Sequence, residues 1–388
     1  MRLLVVADVS AEEIHGGAER MLTNHLRALN DAGHSVTLLT RQPKEGAPLD
    51  LMVCKGIQEH RLPYHGDRGW QGLWQLKNEA VKWWRSYGED FDAVISEQPF
   101  TMWALMRAGC QLPRLQVCYS FAFEEYLTRH ASRWNPKGRF IAIAMRYLEG
   151  TVYHSADRLL VLSQYTRKRF HEVFNISGKR VEVSPGGVEM PSGGSECSRE
   201  EARNELQWHG PVVVTLRNLV PRTGVDLLVE AAGILKDELP ELRWCVIGRG
   251  ALMEALLAQA VQSGVGERVE FTGFLSEEDV QKRLFAADIF MLPTRDLEGF
   301  GLVTLEANAC GLPVVATPVT ANKEVVPSLP FNRLADAVTA EALADAVRQM
   351  LLVEYNDDSR QALRDAVEKK YAWHLHDDEL VKAVEALQ

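Results

Sequence analysis

RDLEGFGLVTLEANACGLPVVAT, residues 295 to 317, puts two carboxylates, a glycine turn and a helix start into one short run. Glu298 and Glu306 stand eight apart in it. DIFMLP, 288 to 293, reads as a buried strand running into the loop that carries Glu298. Leu302 to Cys310 reads as a helix stopped by Gly311, with Pro313 beyond. A ligand is therefore expected at the strand's carboxyl end. Helical side chains lean toward the amino terminus, so Glu306, about one turn in, aims back at the glycine turn. Both carboxylates are expected to face one pocket.

Around this run the second half alternates strands at 211 to 216, 242 to 247, 269 to 273, 288 to 293 and 313 to 317 with helices beginning near 224, 250, 276 and 301. That rhythm means a parallel sheet covered on both faces, an α/β class. The first half keeps the same rhythm. Leu3 to Ala7 and Val36 to Thr40 read as strands, and between them Gly16-Gly17 opens a helix carrying Met21, Leu22, Leu26 and Leu29. Free N–H groups at such a start suit a phosphate. Further strands are expected at 92 to 96, 115 to 119, 158 to 163 and 180 to 184. Pro43 to Tyr87 reads as irregular apart from a helix over 71 to 87, and Trp70, Trp74, Trp83 and Trp84 are assigned to packing. MPSGGSECS, 190 to 198, reads as a linker, with Ser198 and Glu201 at capping-box spacing.

At 388 residues two domains are expected, and a net charge of −10 argues against general nucleic-acid binding. The six cysteines show no metal-site spacing and are expected as reduced thiols. Met1 runs straight into an apolar strand and no apolar run reaches 18 residues, so neither a signal peptide nor a spanning helix is expected, and the location is expected to be cytoplasmic. Arg129, His130, Arg133, Lys137, Arg139 and Arg146, interleaved with Trp134, Phe140 and Tyr147, read either as a basic face touching anionic lipid at a membrane or as the solvated face of a helix.

Arg217 closes the strand VVVTL, Arg222 precedes a glycine and a helix, and Gly16-Gly17 sits at a helix start. Together these features suit a diphosphate clamp; no aspartate-x-aspartate pair appears, so no metal and no other cofactor are expected. A Rossmann dehydrogenase fails because Gly248 and Gly250 are followed by Met253 where a third glycine belongs.

GGAER at 16 to 20, ADRLLVLS at 156 to 163, LRNLVPRTGVDLLVEA at 216 to 231, VIGRGALMEAL at 246 to 256, FTGFLSEEDV at 271 to 280 and the E-x7-E block together resemble retaining glycosyltransferases of family 4. The resemblance implies the GT-B fold, two Rossmann-like domains facing a central cleft. It implies an acceptor domain over 1 to 187 with the last helix, 372 to 388, returning to it, and a donor domain over 198 to 371. It also implies an enzyme that moves a hexose-type unit from a UDP- or GDP-linked sugar to a hydroxyl of a glycolipid or polysaccharide intermediate. On the family pattern Glu306 takes the nucleotide ribose and Glu298 the sugar hydroxyls. Gly299, Phe300, Gly301 and Leu302 hold the sugar and diphosphate, Arg217 steadies the leaving phosphates, and Gly16-Gly17 closes over them. The nucleobase falls near Gly273 and Phe274, and the acceptor near Tyr119 and Ser120. Four positions depart from the pattern: Thr223 replaces a lysine, with Arg222 as the neighbouring cation; counted back from Gly224 the family's arginine falls on Asn218, one past Arg217; Tyr119-Ser120 stands where a histidine is usual; and Thr320-Ala321 replaces a glycine pair. Those departures motivate the alternative of a catalytically weak partner subunit that binds nucleotide or glycan.

Overall fold

The computed structural model describes residues 1–12, 16–54, 56–64, 69–130, 136–191 and 199–388, with only the backbone at 129 and 130. The expected linker from 192 on, the Ser198 cap, Cys197, Arg133 and Trp134 lie outside the described residues, as do the side chains of Arg129 and His130. The chain forms two compact units, Met1–Gly186 with Trp373–Gln388, and Gly187–Ala372.

The first unit runs β1 (Arg2–Val6), α1 (Gly17–Asp31), β2 (Ser35–Arg41), β3 (Asp50–Val53), β4 (Ile57–Leu62), α2 (Trp70–Tyr87), β5 (Ala93–Ser96), α3 (Pro99–Arg107), β6 (Arg114–Cys118), α4 (Ala122–His130), α5 (Pro136–Ser155), β7 (Arg158–Val161), α6 (Gln164–Phe174) and β8 (Val181–Val183). Its sheet has the order β3-β4-β2-β1-β5-β6-β7-β8, parallel except for β3. Apolar runs such as LLVV serve both faces. Leu3 and Val5 join Leu22, Leu26 and Leu29 of α1, while Leu4 and Val6 join Leu76 and Ala80 of α2 and Leu105 of α3.

The hairpin of β3 and β4 is a correction to the irregular reading of 43 to 69. In IQEHRL the inward positions are charged: Glu59 and Arg61 are buried and bond each other at 2.9 Å, and Glu59 also accepts from Thr40 at 2.6 Å. Paired ions replaced the apolar alternation that announces a strand. The tryptophans divide as well. Trp83 and Trp84 pack on the core, but Trp70 and Trp74 are 51% and 62% exposed on the outer face of α2.

The second unit runs α7 (Arg199–Glu205), β9 (Val212–Leu216), α8 (Val225–Leu235), β10 (Arg243–Ile247), α9 (Met253–Gln262), β11 (Val269–Gly273), α10 (Glu277–Ala286), β12 (Ile289–Leu292), α11 (Leu302–Ala309), β13 (Val314–Ala316), α12 (Asn322–Val325), β14 (Arg333–Leu334), α13 (Ala340–Leu351) and α14 (Asp357–Tyr371). Its six parallel strands have the order β11-β10-β9-β12-β13-β14. The chain winds one way from β9 to β11 and the other way from β12 to β14, which places a topological switch between β9 and β12.

The last helix, α15 (Trp373–Glu385), belongs to the first unit. Leu380, Ala383 and Val384 enter the core beside Leu22 and Leu26, and Asn24 donates to Asp377 at 2.6 Å. At the centre His25 Nε2 meets His376 Nε2 at 2.8 Å, and His376 Nδ1 lies 3.0 Å from the Pro185 carbonyl. The Ser184 hydroxyl lies 2.8 Å from the same Nδ1. Burial, and after it the neighbouring His25, pushes His376 down to about 3.

Between that value and the ordinary histidine range of about 6.5 the unfolded chain binds a proton that the folded chain refuses. Stability is therefore whole above about pH 6.5 and falls by about 1.4 kcal/mol per unit as pH drops toward 3. Urea unfolding from pH 7 to 4.5 is expected to show this loss in the wild type and a shallower one in His376→Asn; parallel curves would contradict it.

Candidate functional site

The loops at the carboxyl ends of β9 and β12 meet at the switch point of the second unit. Three glycines let backbone approach backbone there. Gly224 has φ +70, and a Cβ on it would lie 1.9 Å from the Pro293 carbonyl oxygen. A Cβ on Gly248, φ +133, would lie 2.0 Å from the Arg217 oxygen, and one on Gly250 would lie 2.3 Å from that of Leu219. The Gly-x-Gly that suggested a dinucleotide loop thus seats the β9 loop against the β10 loop. No other residue fits at such distances.

Into this frame Arg217 turns its guanidinium. Nη2 donates to Glu298 Oε2 at 2.8 Å and to Thr294 Oγ1 at 3.1 Å, and the Thr294 hydroxyl donates to the same Glu298 oxygen at 3.0 Å. Both charged side chains are about nine-tenths buried, at 8% and 11% exposure. Arg217 Nε is buried with no hydrogen-bond partner among the described residues.

Arg222, expected as a substitute cation, braces the loop. Its Nη1 donates to the Leu297 carbonyl at 3.3 Å, and its own carbonyl accepts from Arg295 N at 2.8 Å. Leu297 sits at φ 55, in the left-handed region, so the brace holds a strained turn just before Glu298. Thr223 is buried, its hydroxyl committed to the Asn218 and Val220 carbonyls at 2.7 Å each.

Thr320, one of the residues standing in for a glycine pair, takes the left-handed conformation at φ 39. Its hydroxyl accepts from Glu298 N at 2.9 Å and donates to Glu298 O at 2.8 Å. Ala321 N adds a bond to Glu298 O at 3.2 Å. Glu298 is therefore fixed by backbone as well as by side chain. Sequence reasoning gave no role to Thr294 or Thr320, because short hydroxyl side chains carry no period and no charge.

Gly301, φ +85, caps α11. A Cβ on it would meet Thr304 Oγ1 at 3.4 Å, Glu298 Cγ at 3.6 Å and Asn322 Oδ1 at 3.8 Å. The Thr304 hydroxyl and the Asn322 oxygen are also buried with no hydrogen-bond partner among the described residues. Leu302 is half-buried, and Phe300 is buried edge-on to Tyr371 at 6.0 Å. Gly299 and Glu306 are half-buried, and Glu306 adds to the burial that pushes the Cys310 thiol up to about 12. Gly273 has φ +71 at the end of β11, and Phe274 next to it is 64% exposed.

In the first unit Gly16 caps α1 and Gly17 is its first residue, with the Glu19 carboxylate beside the cap. Tyr119 follows β6, and its hydroxyl donates to Glu97. Glu97 Oε1 lies 2.8 Å from His25 Nδ1, which continues the chain to His376. Burial and then Glu97 hold the Tyr119 phenol well above its usual range. The neighbouring Ser120 hydroxyl donates to Glu125 at 2.5 Å.

Carboxylate, guanidinium and helix start thus meet at the switch point of a doubly wound sheet, where such folds open a crevice. A model of "Glycosyltransferase Family 4" matches residues 15–190, and one of "Glycosyl transferases group 1" matches 198–370. The chain belongs to glycosyltransferase family 4.

A GDP-mannose-dependent alpha-(1-6)-phosphatidylinositol monomannoside mannosyltransferase of Mycolicibacterium smegmatis is 34% identical over 51% of this chain and 54% of its own length. The GDP-mannose-dependent monoacylated alpha-(1-6)-phosphatidylinositol monomannoside mannosyltransferase of Corynebacterium glutamicum is 30% identical over 59% of this chain and 62% of its own. The matched stretches thus span little more than half the length of these curated relatives. Sucrose-phosphate synthase from Thermosynechococcus elongatus superposes with a TM-score of 0.82 at 19% identity, covering 100% of this chain and 99% of that one. Two parallel-sheet α/β domains of the GT-B fold are the architecture of this chain.

Removing one partner of a buried ion pair strands the other charge, a loss of about 3 kcal/mol or more. Glu298→Ala is expected to lower the unfolding free energy by about that amount, and adding Arg217→Met to recover most of it. Chemical denaturation of the two variants checks this; equal losses would show that the pair is not coupled.

Proposed function

We propose that this chain is a retaining, metal-independent hexosyltransferase that takes mannose from GDP-mannose and delivers it to a hydroxyl of a glycolipid or polysaccharide intermediate. The site is assigned to the cytoplasmic face of a membrane. The observation that carries the reading is the Arg217–Thr294–Glu298 cluster beside the start of α11, at the switch point of the second sheet. The names of the two mannosyltransferase relatives, both GDP-mannose-dependent, support GDP-mannose over a UDP-linked donor.

Breaking the bond between the anomeric carbon and the phosphate oxygen leaves positive charge on the sugar and negative charge on the diphosphate. Donors fixed beforehand against that negative charge are the largest expected catalytic contribution. Arg217, with an Nε not yet bonded, and the N–H groups that open α11 are such donors. As Arg217 turns to the diphosphate, Glu298 is released to accept from sugar hydroxyls. Glu306 accepts from the ribose, and the base stacks near Gly273 and Phe274. The acceptor hydroxyl bonds to the face the phosphate leaves, and its proton passes to the departing phosphate oxygen. Neither the absent lysine nor the absent histidine is needed for that transfer.

Glu306→Ala is expected to weaken GDP binding about tenfold or more, the scale of a lost hydrogen bond to a charged group. Isothermal calorimetry reads it, and unchanged affinity would sink the assignment. Arg217→Ala is expected to cut GDP release from GDP-mannose by roughly two to three powers of ten while leaving guanosine binding little changed. Single-turnover assays of the wild type that release no GDP with any acceptor would instead favour a binding subunit.

A further inference from the structure

α5 presents two unlike faces. Inward, Gly138, Ala142, Leu148, Val152 and Tyr153 are buried. Glu149, on the same face, accepts from the backbone N–H of Ala122 at 2.8 Å and of Phe123 at 3.0 Å, and from the Tyr153 hydroxyl at 3.1 Å. These bonds tie α5 to the start of α4 and fix what the opposite face shows to solvent.

Outward, Phe140 is 67% exposed, Ile143 67% and Tyr147 76%. Spacings of three and four put them in one line along the helix. Single exposed apolar side chains are ordinary; three large ones in register form a patch that asks for a partner. Lys137 and Arg139 are exposed beside the line at its amino-terminal end. Arg146 flanks it further on, its guanidinium over the Phe123 ring and bonded to the Val173 carbonyl at 2.5 Å. The only carboxylate in α5 is the buried Glu149. In a chain of net charge −10 this face is a local cationic exception.

The charge pattern selects the occupant. A second copy meeting this face by a two-fold axis would set lysine and arginine against their own kind around the stripe. A bilayer of anionic lipid matches both features at once, since apolar side chains enter the acyl boundary and cations stay among the headgroups. No helix among the described residues is long and apolar enough to cross a membrane, so attachment through α5 is interfacial.

We propose that the outer face of α5 docks on an anionic membrane surface, with Phe140, Ile143 and Tyr147 inserted and Lys137 and Arg139 at the headgroups. This deepens the reading of a membrane-held acceptor by naming the surface that reaches it. It does not depend on which donor is used.

The test is co-sedimentation of the full chain with vesicles of phosphatidylcholine alone or mixed with phosphatidylglycerol. Binding to the mixed vesicles is expected, weakening as salt rises and much reduced on phosphatidylcholine. Phe140→Ser with Tyr147→Ser is expected to weaken it by about tenfold per side chain, the scale of burying one large apolar group. Lys137→Glu with Arg139→Glu is expected to abolish the preference for phosphatidylglycerol. Both variants should bind GDP as the wild type does, so a failed donor reading and a failed docking face give different results. A wild type that stays in the supernatant, or variants that bind like it, would overturn the proposal. So would a dimer in sedimentation velocity that the serine variants dissolve, which would assign the stripe to a second copy.

Discussion

A guanidinium withdrawn from water needs an anion beside it, and in the second unit that requirement organises the whole edge of the sheet. Arg217 leaves the end of β9 and Glu298 rises from the loop after β12, so the pair closes the one gap that parallel winding opens between strands of opposite direction of travel. Everything near it restricts that loop. Gly224 and Gly248 allow carbonyls to sit where a Cβ would otherwise be, Arg222 braces the left-handed turn at Leu297, and Thr320 grips both backbone groups of Glu298. A carboxylate so held is preorganised.

The first unit uses the same physics in a different register. Its switch lies between β1 and β5, and there Glu97, His25 and His376 form a buried line from Tyr119 to the Pro185 carbonyl. The neutral His376 is what joins the final helix to the unit, which makes the return of the chain from Ala372 to Trp373 a polar decision as much as an apolar one. Farther along, Glu59 and Arg61 show the rule again, an ion pair in place of two apolar side chains.

The fold was legible where apolar runs were long and uninterrupted. β1 in the first unit and β9 and β12 in the second stand within a few residues of their expected places because LLVV, VVVTL and IFML have no other stable use than a doubly covered sheet. It was illegible where burial was achieved by charge, as in IQEHRL, and where a helix kept large aromatics outside, as at Trp70 and Trp74. In the candidate site the carboxylate and the arginine could be named from position alone. Their direct contact could not, because sequence spacing of 81 residues carries no distance. Thr294 and Asn322 escaped notice because hydroxyls and amides become informative only once their partners are placed, and the departures at Thr223 and Thr320 turned from apparent losses into loop supports.

The central claim is that the carboxyl edge of the second sheet is built to hold a nucleoside diphosphate sugar. A crystal structure of the chain grown with GDP-mannose tests it most directly. The account predicts diphosphate density within hydrogen-bond reach of the Arg217 guanidinium, with the sugar hydroxyls against Glu298 and the ribose against Glu306. Ligand density elsewhere, with the Arg217–Glu298 pair still closed, would contradict it.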